Sequence, residues 1–325
     1  MRFLLSARIV VLAALFSLPV LGIGQGCSDA GFCTMGAMRP DQVYNKNGGV
    51  KLRYIDLTYY RGTSLLSAII QSVTLDINIG FNTKSSFQIK TPYQWVNGNL
   101  GENSGFGDIS LSYSRVLLTS HKWSLNGSLG AKIPSGNGNK TVNNKNTGFQ
   151  DAPIHTYYQN SLGSYDAIAG LSVINRKWLL ATGIQIALTQ NGNQFTWEDG
   201  QNGFPDYPSR SYLQEHDVAR ELKRGIDVMF RAERNWRFTK FNFSIGALPI
   251  WRITKDNGIA IGETERRKLD GTTGLALSAI GSFGYHFDVN HAIKVVAGLK
   301  LMDREFNPDG LTRGNVLNIS YQFNF

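Results

Sequence analysis

The chain has 325 residues, of which 42% are hydrophobic, 11% aromatic and 18% charged, and its formal net charge is +9. That mixture excludes a disordered protein, which carries more charge and fewer aromatics, and the lack of repeated long apolar runs excludes a bundle of membrane-spanning helices. The positive charge alone is compatible with nucleic acid, a membrane surface or acidic substrates.

The chain opens with a basic stretch containing Arg2 and Arg8, an apolar run from Ile9 to Leu21 broken only by Ser17 and Pro19, and the small residues Gly22, Gly24 and Gly26. This is the layout of a secretory signal peptide over 1–25, with cleavage expected near Gln25. The apolar run is short for a helix that must span about 20 residues. Residues 26–49 are then expected as a periplasmic segment or plug. They hold the only two cysteines, Cys27 and Cys33. In an exported chain these are expected to close a small disulfide loop, with lipid acylation of Cys27 as the alternative. Two thiolates without a nearby histidine are too few ligands for a metal.

From residue 50 onward the apolar residues alternate with period two. Val73, Leu75, Ile77, Ile79 and Phe81 alternate with Thr74, Asp76, Asn78, Gly80 and Asn82, and Leu317, Ile319, Tyr321, Phe323 and Phe325 with Asn318, Ser320, Gln322 and Asn324. Twelve strands are predicted, near 50–60, 69–82, 84–93, 106–118, 122–134, 164–174, 177–190, 221–233, 236–250, 273–287, 291–303 and 314–325. Many are longer than the roughly 5–6 residues of an ordinary strand and long enough for the ~9–11 of a tilted membrane strand.

Short connections are predicted at 82–83, 119–121, 175–177, 234–235 and 288–290, and long ones at 94–105, 135–163, 191–220, 251–272 and 304–313. Short periplasmic turns alternating with long external loops are the pattern of a transmembrane barrel. Trp123, Trp178 and Trp236 are predicted to open strands after short turns, and Trp95 and Trp251 to close strands on the long-loop side. Indoles so placed would form a girdle at the two membrane interfaces. The expected fold is therefore all-β: an antiparallel up-and-down barrel over 50–325, closed so that no strand edge is left unpaired in lipid.

The alternation sends Asp76, Asp108, Lys132, Asp166, Asp227, Arg231, Lys294 and Lys300 to the lumen, because Arg or Lys on the lipid face near midplane costs about 2–4 kcal/mol. These are the candidate pore-lining residues. Two readings stay open: a water-filled or ligand-lined passage, or a plugged barrel whose charges pair among themselves.

Gly105-Phe106-Gly107-Asp108-Ile109 and Lys132-Ile133-Pro134-Ser135-Gly136 resemble motifs of the outer-membrane family named for the meta-pathway of phenol degradation, related in kind to the long-chain fatty-acid transporters. Tyr321, Phe323 and the terminal Phe325 resemble the carboxy-terminal signal read by the barrel-assembly machinery. The resemblance spans about 50–325. It implies uptake of small or hydrophobic solutes across a Gram-negative outer membrane, with outer-membrane lipids and the assembly machinery as partners. It carries over no substrate residue.

Catalytic and cofactor signatures are weak. A lipid hydrolase would need a serine, a histidine and an orienting group at the barrel rim. Of the five histidines only His286 has an inward strand position. Residues 136–141, GNGNKT, lack the glycine before the lysine of a phosphate-binding loop. Asp199, Asp206, Glu215 and Asp217 do not match a calcium-loop spacing. No enzyme activity, cofactor or metal is expected, and an exported chain is not expected to meet nucleic acid. The expected function is a channel or transporter. The alternative is a non-conducting barrel in adhesion or in an envelope or secretion complex.

Overall fold

In a computed structural model the described residues are 38, 49–64, 68–98, 101–144, 149–196, 219–259, 263–309 and 313–325. Their strands, in chain order, are β1 (Lys51–Ser64), β2 (Ile69–Gly80), β3 (Ser85–Gly98), β4 (Gly101–Phe106), β5 (Ile109–Thr119), β6 (Trp123–Ile133), β7 (Thr141–Asn144), β8 (Phe149–Pro153), β9 (Asp166–Asn175), β10 (Trp178–Ala187), β11 (Asp227–Arg237), β12 (Phe241–Arg252), β13 (Asn257–Ile259), β14 (Arg266–Lys268), β15 (Gly274–His286), β16 (His291–Met302) and β17 (Arg313–Asn324). Twelve of them close an antiparallel ring in the order β1, β2, β3, β5, β6, β9, β10, β11, β12, β15, β16, β17. The last strand returns to the first, with Tyr54 opposite Asn324 and Arg61 opposite Leu317. β4 extends the β3–β5 hairpin beyond the ring, and β7–β8 and β13–β14 are small hairpins in the long loops.

Closure fits the two faces of every strand. On β9 the buried Asp166, Ile168, Gly170 and Ser172 point inward, while Leu171 and Val173 are exposed on the outside. On β17 the exposed Leu317, Ile319 and Tyr321 line the outside. Such a surface is stable only against hydrocarbon, where backbone groups also need partners within the ring.

The short turns are closed by local chemistry. The Asn82 side-chain oxygen accepts from the backbone N–H of Lys84 and Ser85, each at 2.8 Å. The Asn175 oxygen accepts from Lys177 and Trp178, each at 2.7 Å. Asp288 accepts from Asn290 and His291, each at 2.8 Å. Asn and Asp favour such turns because their side chains imitate a backbone acceptor. The Asn290 N–H bond holds the Asp288 carboxyl below its ordinary pKa; desolvation opposes it, and the His291 N–H and ring add to the lowering.

Several expectations need correction. The predicted turn at Arg234-Asn235 is strand: β11 continues to Arg237, and the hairpin closes by the Phe238 N–H bonding Phe241 O at 2.8 Å. Asn235 instead donates its backbone N–H to Lys177 O at 2.7 Å. Trp236 therefore ends β11 and does not open β12, and it stacks on Phe243 across the ladder at 4.6 Å. Residues 221–226, predicted as the start of the eighth strand, precede β11. The segment 94–105, predicted as a long loop, is mostly the β3–β4 ladder, from Tyr93↔Phe106 to Gly98↔Gly101.

Between β4 and β5 the register slips by one residue, since Lys90 faces Ser110 but Tyr93 faces Phe106. This is a bulge at Gly107-Asp108. The two motifs singled out in the sequence meet there. The Ser135 hydroxyl donates to Gly107 O at 2.9 Å and accepts from Ile109 N–H at 3.1 Å. A Cβ on Gly136 would lie 2.3 Å from Phe106 O, so only glycine allows this approach.

Candidate functional site: the barrel interior

Toward the long loops the inner wall carries a belt of charge. Lys132 Nζ lies 3.2 Å from Asp108 Oδ2, and Lys132 faces Asp166 across the β6–β9 ladder. Asp166 Oδ2 accepts from Arg224 Nη2 at 2.6 Å and from Gln185 Nε2 at 2.5 Å. Arg252 donates to both oxygens of Asp227 at 2.8 and 2.7 Å, and to both of Asp256 at 2.9 and 3.0 Å. Burial pushes the Asp256 carboxyl above its ordinary pKa; Arg252 opposes this, and the Asp309 charge adds to it. Lys300 Nζ bonds Asp303 Oδ2 at 2.7 Å. Removed from bulk water, these charges are stabilised only by such pairing.

Lower on the wall, Gln88 Nε2 bonds Asp76 at 3.0 and 2.8 Å and the Tyr54 hydroxyl at 3.2 Å, while Lys90 Nζ lies 3.7 Å from Asp76. Arg231 pairs with Glu233, which also accepts from the Ser244 hydroxyl at 2.9 Å. Seven of the eight sequence-predicted lumen residues are buried on the inner wall. Lys294, opposite the inward Ser320, is half-buried. The inward Asn318, Ser320 and Gln322 on β17 are also half-buried, so the inner wall is less covered along the β16–β17 arc.

Between these charges the arc from β9 to β15 also carries an apolar patch. Ile168, Leu179, Ala181, Met229, Leu248 and Ile280 form one cluster on the inner wall, and Met38 is fully buried within it. A Cβ on the inward Gly170 would sit 3.0 Å from the Met38 sulfur, so the glycine leaves room for that side chain.

The long-loop mouth is narrowed from inside. Ile154, Tyr157, Tyr158 and Phe195 pack on the inward Ile70 and Val96. The short 3-10 turn Thr156–Tyr158 is held by Asn103 Nδ2 bonding Tyr158 O at 2.9 Å. Asn160 Nδ2 bonds Gln94 O at 3.1 Å, and the Leu162 N–H bonds Asp108 Oδ2 at 3.0 Å.

Sequence reasoning missed Arg252 and Glu233, although strand parity reaches both: Arg252 follows Ser244, Leu248 and Ile250 on one face, and Glu233 follows Arg231. Arg224, Met38 and the 154–164 segment had no local signal, because they reach the wall from outside the ring strands. Trp95, Trp123, Trp178 and Trp251 are exposed on the outer face, and Trp236 is half-buried. Trp95 does not end its strand, since β3 runs on to Gly98. Tyr321 and Phe323 face outward on β17, and the Phe325 N–H bonds Arg53 O at 3.0 Å. His286 lies exposed at the short-turn rim, its Nε2 3.2 Å from Asn242 Nδ2. The signal peptide, Cys27 and Cys33 lie outside the described residues.

Fold, outer face and interior together define a transmembrane β-barrel of the outer-membrane type. Among solved structures, an outer-membrane channel from Pseudomonas putida F1 designated COG4313 superposes with a TM-score of 0.57 at 14% identity, covering 88% of this chain and 99% of that one. The KdgM porin gives 0.41 at 9% identity over 84% and 99%. The CymD monoaromatic hydrocarbon channel gives 0.39 at 11% identity over 94% and 95%. No family model and no curated protein matches the sequence.

Proposed function

We propose that the protein is a narrow outer-membrane channel for small molecules with an apolar part. The observation that carries this reading is the apolar patch of Ile168, Leu179, Met229 and Leu248 inside an otherwise polar lumen. The patch is covered by Met38, and an apolar solute that displaced this side chain would gain about 25 cal/mol for each Å² it buried there. The belt of paired charge above the patch would discriminate against ions that cannot replace those pairings. The outward Tyr321, Phe323 and Phe325 are proposed as the recognition face for the barrel-assembly machinery.

The test is solute uptake into proteoliposomes together with conductance in planar bilayers. The wild type is expected to conduct weakly and to admit small apolar solutes, and Leu248→Asp to lose the apolar solutes while keeping its heat-modifiable mobility. A wild-type barrel that neither conducts nor admits solute would overturn the reading. That outcome would favour a non-conducting barrel, for which the buried Met38 and the inward-packed Tyr157 and Tyr158 are the supporting observations.

A further inference from the structure

The short-turn rim carries a charge pattern that neither closure nor transport requires. Three neighbouring turns, β5–β6, β9–β10 and β11–β12, hold Lys122, Arg176, Lys177 and Lys240, and the end of β11 beside them holds Arg234 and Arg237. These turns are adjacent because Trp123 faces Asn175 and Trp178 faces Arg234 across their ladders. No carboxylate occurs in residues 118–124, 174–179 or 234–243. Of the five short turns, only β15–β16 contains a carboxylate, Asp288. Arg234 is half-buried and the other five are exposed, and none of the six forms an ion pair among the described residues.

A second observation points to a ligand on the outer face. The Arg234 guanidinium lies 5.2 Å from the ring centre of Trp178 and 5.7 Å from that of Trp236. Two indoles thus hold one cation within the aromatic belt, at the depth where lipid headgroups meet acyl chains. Side chains of this length extend along the apolar surface and keep their charge at the headgroup level. Like charges gathered on neighbouring turns repel one another, and an anion among them relieves that repulsion.

We infer that this arc binds the phosphate headgroup of an acidic phospholipid, with Arg234 held on the indoles as its anchor and Lys177 and Arg237 flanking it. The lipid's acyl chains lie on the outer face of β10 and β11, beside the exposed Leu180 and Phe230. The inference rests on the transmembrane reading and is independent of whether the lumen conducts.

The experiment is native mass spectrometry of the full chain, refolded in detergent with equal amounts of phosphatidylglycerol and phosphatidylethanolamine. Each cation near an anionic headgroup contributes to the attraction, so the wild type is expected to retain the acidic lipid at least about tenfold over the zwitterionic one. R176Q/K177Q/R234Q/R237Q is expected to lose that preference, and the long-loop control K255Q/R266Q/R267Q to keep it. Retained heat-modifiable mobility reports that each barrel is folded. If the quadruple variant does not fold, K177Q/R237Q is read in the same way, with a loss of about threefold expected. Equal retention of the two lipids by the wild type, or an unchanged preference in the folded neutralised variant, overturns the inference. Displacement of the lipid by millimolar glycerol phosphate also overturns it, because the site would then belong to a soluble anion.

Discussion

At the long-loop end Arg252 is fully enclosed and shared by Asp227 and Asp256, and Lys132 sits between Asp108 and Asp166. At the short-turn end Lys177, Arg237 and Lys240 stand exposed with no carboxylate in their turns. The difference follows from where the chain can supply counter-charge. Long loops carry acidic and basic residues back over the mouth, so buried charge is neutralised within the protein. A turn of two to four residues has no such reach, so its charge must be met by water or by the membrane. The same contrast appears in the backbone: the upper mouth is packed by Tyr157 and Tyr158 from a loop, while the lower turns are closed one at a time by Asn82, Asn175 and Asp288.

The largest expected effect breaks the internal neutralisation. Arg252→Ala leaves two buried carboxylates facing a void and should cost about 3–5 kcal/mol in denaturant unfolding from detergent micelles. Arg252→Leu with Asp227→Asn should recover part of that loss, and no recovery would mean that the pair matters for more than its charge. Next, Tyr157→Ala with Tyr158→Ala should empty the upper mouth. The expected result is higher single-channel conductance with the strand spectrum unchanged, and equal conductance would show that the constriction lies elsewhere. At the other end Asn175→Ala removes two turn bonds that compete with water, and about 1 kcal/mol is expected from the same unfolding measurement. The smallest effect belongs to Lys255, which pairs with Asp270 in solvent. Lys255→Ala should leave the unfolding midpoint where it was, because exposed ion pairs are screened and pay side-chain entropy.

Much of the barrel is legible from particular residues. Val73 to Phe81 and Leu317 to Phe325 alternate without interruption, and each forms a strand whose apolar members face out. Asn175 and Asp288 mark turns because their side chains close them. Asn235 has the same identity but stays in β11, since its N–H is taken by Lys177 O and Trp236 stacks on Phe243. A turn signal therefore yields where a neighbouring strand offers both a hydrogen bond and a ring. The interior was legible only where it lay on a strand, as with Asp76 and Lys300. Arg224 and Met38 come to the wall from segments without a period, and no spacing could announce them.

The sequence by itself determined the class of fold, the number of ring strands and the inward parity of residues such as Asp76, Lys132 and Lys300, because period-two alternation and local turn chemistry are properties of neighbouring residues. Only the tertiary structure decided which charges pair, where the apolar patch lies in the lumen, and that Lys177 and Arg176 stand beside Arg234. Those depend on ladder register and on loops folding back, which bring together residues as far apart as Asp166 and Arg224. The long-loop mouth and the short-turn rim differ for that reason: one is assembled from distant segments, and the other from single turns set side by side.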